Sequence, residues 1–140
     1  MQFEYFISGG DFSKAGQASS QFKKALQQLN VAPQVIKRIV VALYEAEVNI
    51  VAHAYKGKIS IELQPDLVTM TLTDEGPGIP DIEKAMEIGY STASSKVREM
   101  GFGAGMGLSN IKNNADLLEI TSKVGIGTTV KISVNLAKQE

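Results

Sequence analysis

Glu45-Ala46-Glu47-Val48-Asn49, Asp74-Glu75-Gly76-Pro77-Gly78 and Gly101-Phe102-Gly103-Ala104-Gly105-Met106-Gly107-Leu108 follow one another along the chain, each a polar or glycine-rich cluster within or beside apolar sequence. The secondary structure around them decides how they meet. Ile36, Ile39, Leu43, Ala46, Ile50 and Ala54 recur in steps of three and four, which predicts one long helix from Pro33 until Gly57. Beyond Gly57 the period becomes two: Ile59, Ile61 and Leu63 alternate, and after Gln64-Pro65-Asp66 the run Leu67-Val68-Thr69-Met70-Thr71-Leu72-Thr73 completes a predicted hairpin.

Outward from this centre, Phe3, Tyr5 and Ile7 alternate as in a strand that Gly9-Gly10 ends. Asp11 or Ser13 is the expected cap of a helix reaching about Leu29, with Phe22, Ala25 and Leu26 at helical spacing and assigned to the core. A short helix over Asp81 to Glu87, a long loop from Gly89 to Gly107 and a helix from Leu108 to Ala115 come next. Leu117 to Lys123 and Thr128 to Leu136 form a second strand pair around Gly125-Ile126-Gly127. Runs of helix beside antiparallel hairpins predict an α+β sandwich with helices on one sheet face.

Composition narrows the function classes. The 140 residues fit a single domain, 1–140, with no linker, repeat or low-complexity tract to mark a second. Fourteen basic against fifteen acidic residues provide no broad field for nucleic acid, and a 44% hydrophobic, 21% charged chain is that of an ordinary globular protein, not a membrane one. The absence of cysteine excludes disulfides, thiolate zinc sites and a cysteine nucleophile. Met1-Gln2-Phe3-Glu4 lacks the layout of a signal peptide, so a cytoplasmic location is expected.

Glu45, Asn49 and His53 are spaced four apart and share one helix stripe bordering the apolar one, where they can face a ligand together. Taken singly, Glu45 and Asn49 also read as a solvated polar edge and His53 as a structural residue. Asp74 ends an apolar strand before glycines that permit close backbone approach. A buried acceptor there can pair with the exocyclic amine of adenine, although an ordinary turn explains the segment in isolation. Amides of the segment from Gly101 to Asn110, opening a helix, can cradle phosphates, with a flexible linker as the alternative. It is neither a dinucleotide fingerprint nor a Walker loop, because no Gly-Lys-Ser/Thr occurs.

Together these motifs resemble the GHKL ATPase superfamily of gyrase, the ninety-kilodalton heat-shock chaperone, histidine kinases and MutL. Glu45-x-x-x-Asn49 looks like its N box and Asp74-x-Gly76-x-Gly78 like its first glycine box. Gly103-x-Gly105-Met106-Gly107-Leu108 resembles the second, and Gly125-x-Gly127-Thr128 the closing box. The resemblance covers about two-thirds of the chain. It implies the Bergerat fold, a two-layer sandwich whose mixed, mostly antiparallel sheet is covered on one face by helices, with ATP under a mobile lid. The phrase Glu45-Ala46-Glu47-Val48-Asn49-Ile50-Val51-Ala52-His53-Ala54-Tyr55 is similar to the small serine/threonine kinases and anti-sigma factors of bacterial partner switching, the RsbT, RsbW and SpoIIAB type. Gly89-Tyr90-Ser91-Thr92 followed by the glycine run resembles RsbT rather more.

What the resemblance implies is specific. Asn49 would ligate Mg²⁺ at the phosphates, Asp74 would accept from the adenine amine with support from Thr128, and Glu45 would be the base for the attacking serine or threonine hydroxyl. His53, Gly76, Gly78, Ile79, Gly101, Gly103, Gly105, Met106, Gly107 and Leu108 would complete the ATP contacts. Lys96 and Arg98 are the cations near the phosphates, with either one or neither touching ATP. Ser91, Thr92, Ser94 and Ser95 are possible phosphorylation sites. The implied activity is that of a serine/threonine protein kinase using ATP and Mg²⁺ on a STAS-domain antagonist. The partner so switched would be a sigma factor or a downstream regulatory enzyme. The alternative is a non-catalytic, ATP-gated binding module, and slow ATP hydrolysis without a protein acceptor is a third option. The chain would be a monomer or a homodimer. A dimerisation helix pair bearing a phosphorylated histidine, or a transducer domain, would not fit within its length.

Overall fold

Strands form where the side-chain period is two and helices where it is three to four, and a computed structural model describes them over residues 1–86 and 107–136. The elements are β1 (Gln2–Ser8), α1 (Gln17–Gln28), α2 (Pro33–His53), β2 (Lys56–Leu63), β3 (Leu67–Glu75), α3 (Ile82–Ala85), α4 (Gly107–Asn114), β4 (Leu117–Lys123) and β5 (Gly127–Asn135). The strands lie in the order β1-β2-β3-β5-β4, and all four pairings are antiparallel. The expected α+β sandwich with a mostly antiparallel sheet is therefore borne out. Helix α2 lies on the sheet, touching β1, β2, β3 and β5, with α1 and α4 packed beside it.

The core sits between these layers. Ile59 and Ile61 of β2, Val68, Met70 and Leu72 of β3, and Ile132 and Val134 of β5 meet the α2 stripe Ile36, Ile39, Leu43, Ala46, Ile50 and Ala54. Phe22 and Leu26 of α1 are fully buried, and Phe22 meets Phe3 of β1 edge to face at 5.1 Å. Each such Leu, Ile or Phe contributes about 1.5–3 kcal/mol by leaving water. Among the described residues, no helix is long and apolar enough to cross a membrane.

The start of α1 departs from the sequence expectation. Asp11 opens only a short 3-10 turn, Phe12–Lys14, and the helix begins at Gln17 after Gly16, whose φ is 87°. Neither Asp11 nor Ser13 caps it; the Ser13 hydroxyl donates to Asp11 at 2.5 Å. The cap comes instead from Glu47 in α2, which is fully buried. Its Oε2 accepts from the Gly16 and Ala18 amides at 3.1 Å, and its Oε1 from the Ser19 amide at 3.0 Å and the Ser19 hydroxyl at 2.6 Å. A carboxylate at a helix N-terminus satisfies orphan amides and the helix dipole together. A buried charge is tolerable on these terms, with its oxygens fully bonded. At the other end, α2 stops at His53 rather than continuing to Gly57, because the Tyr55 amide turns to donate to the Glu75 carbonyl at 2.8 Å.

Replacing Glu47 by alanine strands buried amides and a hydroxyl, so Glu47→Ala should lower unfolding stability by about 2–4 kcal/mol. Urea denaturation checks this. A loss well below 1 kcal/mol would show that water replaces the carboxylate.

Candidate functional site

Two clusters come together at one end of α2. The first forms around Asp74, one residue before the end of β3 and paired across the sheet with Gly57. Its Oδ1 accepts from the Thr128 amide at 3.1 Å, while its Oδ2 makes no bond among the described residues. Burial pushes the Asp74 carboxyl above the usual range, and the Thr128 amide pulls it part of the way back. Glycine is required around it by close approach. A Cβ at Gly127 would collide with the Asp74 carbonyl, and one at Gly76 would come 3.0 Å from Ala54 Cα.

The loop after Asp74 is fastened to the β4–β5 turn. The Gly76 amide donates to Ile126 at 3.0 Å, and the Gly125 amide donates to Pro77 at 2.8 Å. Gly78, at φ 76°, lies so near the Lys123 carbonyl that a Cβ would stand 2.5 Å from its oxygen. The Ile79 amide donates to Ser122 Oγ at 2.7 Å, and Ser122 Oγ lies 2.8 Å from Thr128 Oγ1 and 3.2 Å from the Gly127 carbonyl. Ser122 escaped the reading of the sequence. The signal was available: counting back from Thr128 across the turn centred on Gly125 lands on Ser122, its partner in the β4–β5 register.

The second cluster lies on the edge of α2. Glu45, Asn49 and His53 are all half-buried, as expected at the border of the apolar stripe. Glu45 Oε1 accepts from Asn110 Nδ2 at 3.3 Å. Asn49 abuts the first residue of α4, since a Cβ on Gly107 would come 3.1 Å from its Nδ2 and 3.2 Å from its Oδ1. The first described turn of α4 therefore lies beside the Asn49 carboxamide. Leu108 packs against the core and anchors that first turn. His53 closes the stripe, and burial lowers its pKa, so the ring is neutral at pH 7. Gly76, packed on Ala54, joins the two clusters. Lys96, Arg98, Gly101, Gly103, Gly105 and Met106, like Ser91, Thr92, Ser94 and Ser95, lie outside the described residues.

Among the described residues, no three His, Cys, Asp or Glu side chains gather to hold a metal. A cavity of about 310 Å³ between β1 and the start of α1 is lined by Tyr5, Asp11, Gln17 and Glu47, among others. The Glu47 oxygens there are already taken by α1. What remains is an acceptor framed by glycines at one end and a carboxamide and carboxylate beside a helix N-terminus at the other.

The family model of the histidine kinase-like ATPase domain matches residues 11–134. The chain belongs to that family. It is 30% identical over 121 residues to the anti-sigma F factor of Bacillus licheniformis, covering 82% of this chain and 80% of the relative. To the anti-sigma F factor of Caldanaerobacter subterraneus subsp. tengcongensis it is 35% identical over 111 residues, 76% of this chain and 74% of the relative. To the serine/threonine-protein kinase RsbT of Bacillus subtilis it is 38% identical over 98 residues, 67% of this chain and 68% of the relative. These matches place it in the anti-sigma factor and serine/threonine kinase branch of the GHKL superfamily, and the family implies ATP binding.

Asp74 gives a prediction in which stability and binding move apart. Its raised carboxyl means that ionisation opposes folding, a penalty absent below the unfolded pKa and present once pH rises through the folded one. Asp74→Asn should therefore melt at or above the parent temperature at pH 7, with the difference shrinking as pH falls toward the carboxylate range. Its ATP affinity should drop by about 1–3 kcal/mol. Unchanged affinity in calorimetry would remove Asp74 from nucleotide recognition.

Proposed function

We propose that this chain is an ATP-dependent serine/threonine protein kinase acting as a regulatory switch on a STAS-domain antagonist protein, with residues 1–140 serving as one kinase domain. The observation that carries this reading is the meeting of Glu45 and Asn49 with the first turn of α4. Phosphoryl transfer asks of a protein mainly positioning and charge stabilisation, and that junction offers both. The family's ATP binding and the name of the RsbT relative support the same activity.

In this reading the unbonded Oδ2 of Asp74 accepts from the adenine amine, with Thr128 beside it, and Gly76, Gly78 and Ile79 shape the base pocket. Amides at the start of α4 hold phosphate oxygens through their partial positive charge. Asn49 would supply a side-chain oxygen to Mg²⁺, a hard cation that takes oxygen ligands. Bound there, the ion would supply positive charge to the phosphates. Glu45, oriented by the Asn110 amide, accepts the proton of the attacking serine or threonine hydroxyl. The hydroxyl oxygen bonds to the γ-phosphorus, the bond to the bridging oxygen breaks, and ADP leaves with that electron pair. His53, neutral, contributes an uncharged polar wall where α2 ends.

The names of the anti-sigma F relatives support a second, compatible role in which the chain holds a sigma factor and ATP sets its grip.

Incubation of the purified chain with γ-labelled ATP, Mg²⁺ and a STAS-domain protein of the source organism tests the reading. The parent should label a serine or threonine of the acceptor. Glu45→Ala should lose about 10²–10⁴-fold in rate, the span of general-base catalysis, while binding ATP as before. Full labelling by Glu45→Ala would exclude Glu45 as the base. ATP binding without any labelled acceptor would favour the binding module.

A further inference from the structure

We infer that Asn110 is a positioning residue for phosphoryl transfer: its side-chain amide fixes the aim of the Glu45 carboxylate and ties that base to the helix that abuts Asn49. This rests on the kinase reading above. Glu45 lies on the half-buried edge of α2 at the end of a long, flexible arm. Held by nothing, such an arm spreads over several rotamers, whereas a base must stand within hydrogen-bond reach of the proton it takes. Its own helix offers it no cation: the residues three and four positions away are Val41, Ala42, Val48 and Asn49. Among the described residues its partner is Asn110 of α4, whose Nδ2 donates to Oε1 at 3.3 Å, while Oε2 makes no bond there. Only the NH₂ end of a carboxamide can face a carboxylate, so chemistry fixes the sense of this contact.

Asn110 is itself held in place. Leu108 packs against the core and Ile111 is fully buried, which anchors α4 on both sides of Asn110 in sequence. The Asn114 side chain donates to the Asn110 carbonyl at 2.8 Å and closes the last turn of the helix. The two helices meet in opposite senses, with Gly107 at Asn49 and, about one turn along each, Asn110 at Glu45. A single helix thus sets the spacing between the Asn49 carboxamide and the Glu45 carboxylate. With Oε1 occupied, Oε2 is the oxygen presented to the acceptor hydroxyl. Without Asn110 the carboxylate is present but unaimed, which costs rate and not nucleotide affinity.

The test is the rate at which the full chain labels a STAS-domain protein of the source organism with γ-labelled ATP and Mg²⁺. Asn110→Leu keeps the branched shape without a donor, and Asn110→Asp keeps it with acceptors alone. In both, kcat should fall about ten- to a hundredfold, the worth of a hydrogen bond to a charged group, with KM for ATP unchanged. In a Glu45→Ala background the same substitutions should cost nothing further, because no carboxylate is left to aim. A packing role for Asn110 would lower the rate in both backgrounds, so an equal loss in the parent and in Glu45→Ala overturns the inference. So does the parental kcat in either folded variant, or a rise in KM for ATP with kcat unchanged. A parent that labels no acceptor, or a Glu45→Ala variant that labels at the parental rate, overturns the kinase reading itself and with it this assignment.

Discussion

The rotation of α2 about its own axis is the constraint on which the rest of the structure depends. One helix must present three different chemistries in three directions: an apolar stripe to the sheet, Glu47 to the N-terminus of α1, and Glu45 with Asn49 to α4. Residues two apart on a helix point about 160° away from each other. Glu47, between Glu45 and Asn49 in sequence, is thereby turned away from both. A small rotation would bury Glu45 among hydrocarbon and expose Glu47, leaving the α1 amides without acceptors. The buried carboxylate therefore locks the orientation that the candidate site requires, while touching nothing in that site itself.

Glu47 and Asp74 show how environment separates two acidic groups. Glu47 has both oxygens saturated by donors and serves packing. Asp74 has one oxygen bonded and one without a partner among the described residues, and desolvation outweighs its single amide bond. An acceptor kept partly dry and partly unpaired costs stability and is retained where a ligand completes it. The exposed pairs Lys56–Glu75 and Lys58–Glu4 belong to neither category, since solvent screens them and they contribute little.

Much of this was legible in the sequence because the signals are local. Alternation marked β1 and β2, all five strands were placed to within about three residues, and the three-and-four spacing marked α2 and its buried face. The ordered glycine motifs identified Asp74 and Asn49 as candidates. What escaped was long-range. The true cap of α1 lies 28 to 31 residues from the amides it serves, so the eye falls on Asp11 and Ser13. Helix α2 ends early because the Tyr55 amide finds the Glu75 carbonyl, a partner brought by the β2–β3 hairpin. Ser122 reads as one polar residue among several in a strand until the hairpin register sets it opposite Thr128.

The strand order explains why motifs so far apart in sequence become neighbours. A simple meander would place β4 beside β3 and leave Thr128 two strand spacings, about 10 Å, from Asp74. Instead β5 runs between them, so the Gly125-Ile126-Gly127-Thr128 turn emerges next to Asp74 and the Thr128 amide reaches its carboxylate. With β5 antiparallel to both neighbours, β3 and β4 run in the same direction, and the chain between them must cross a face of the sheet. That crossing ends in α4 packed beside α2, and its landing point brings Gly107 against Asn49. One topological choice thus builds both halves of the candidate site: the returning hairpin frames the Asp74 carboxylate, and the crossover delivers the first described turn of α4 to Asn49 and Glu45.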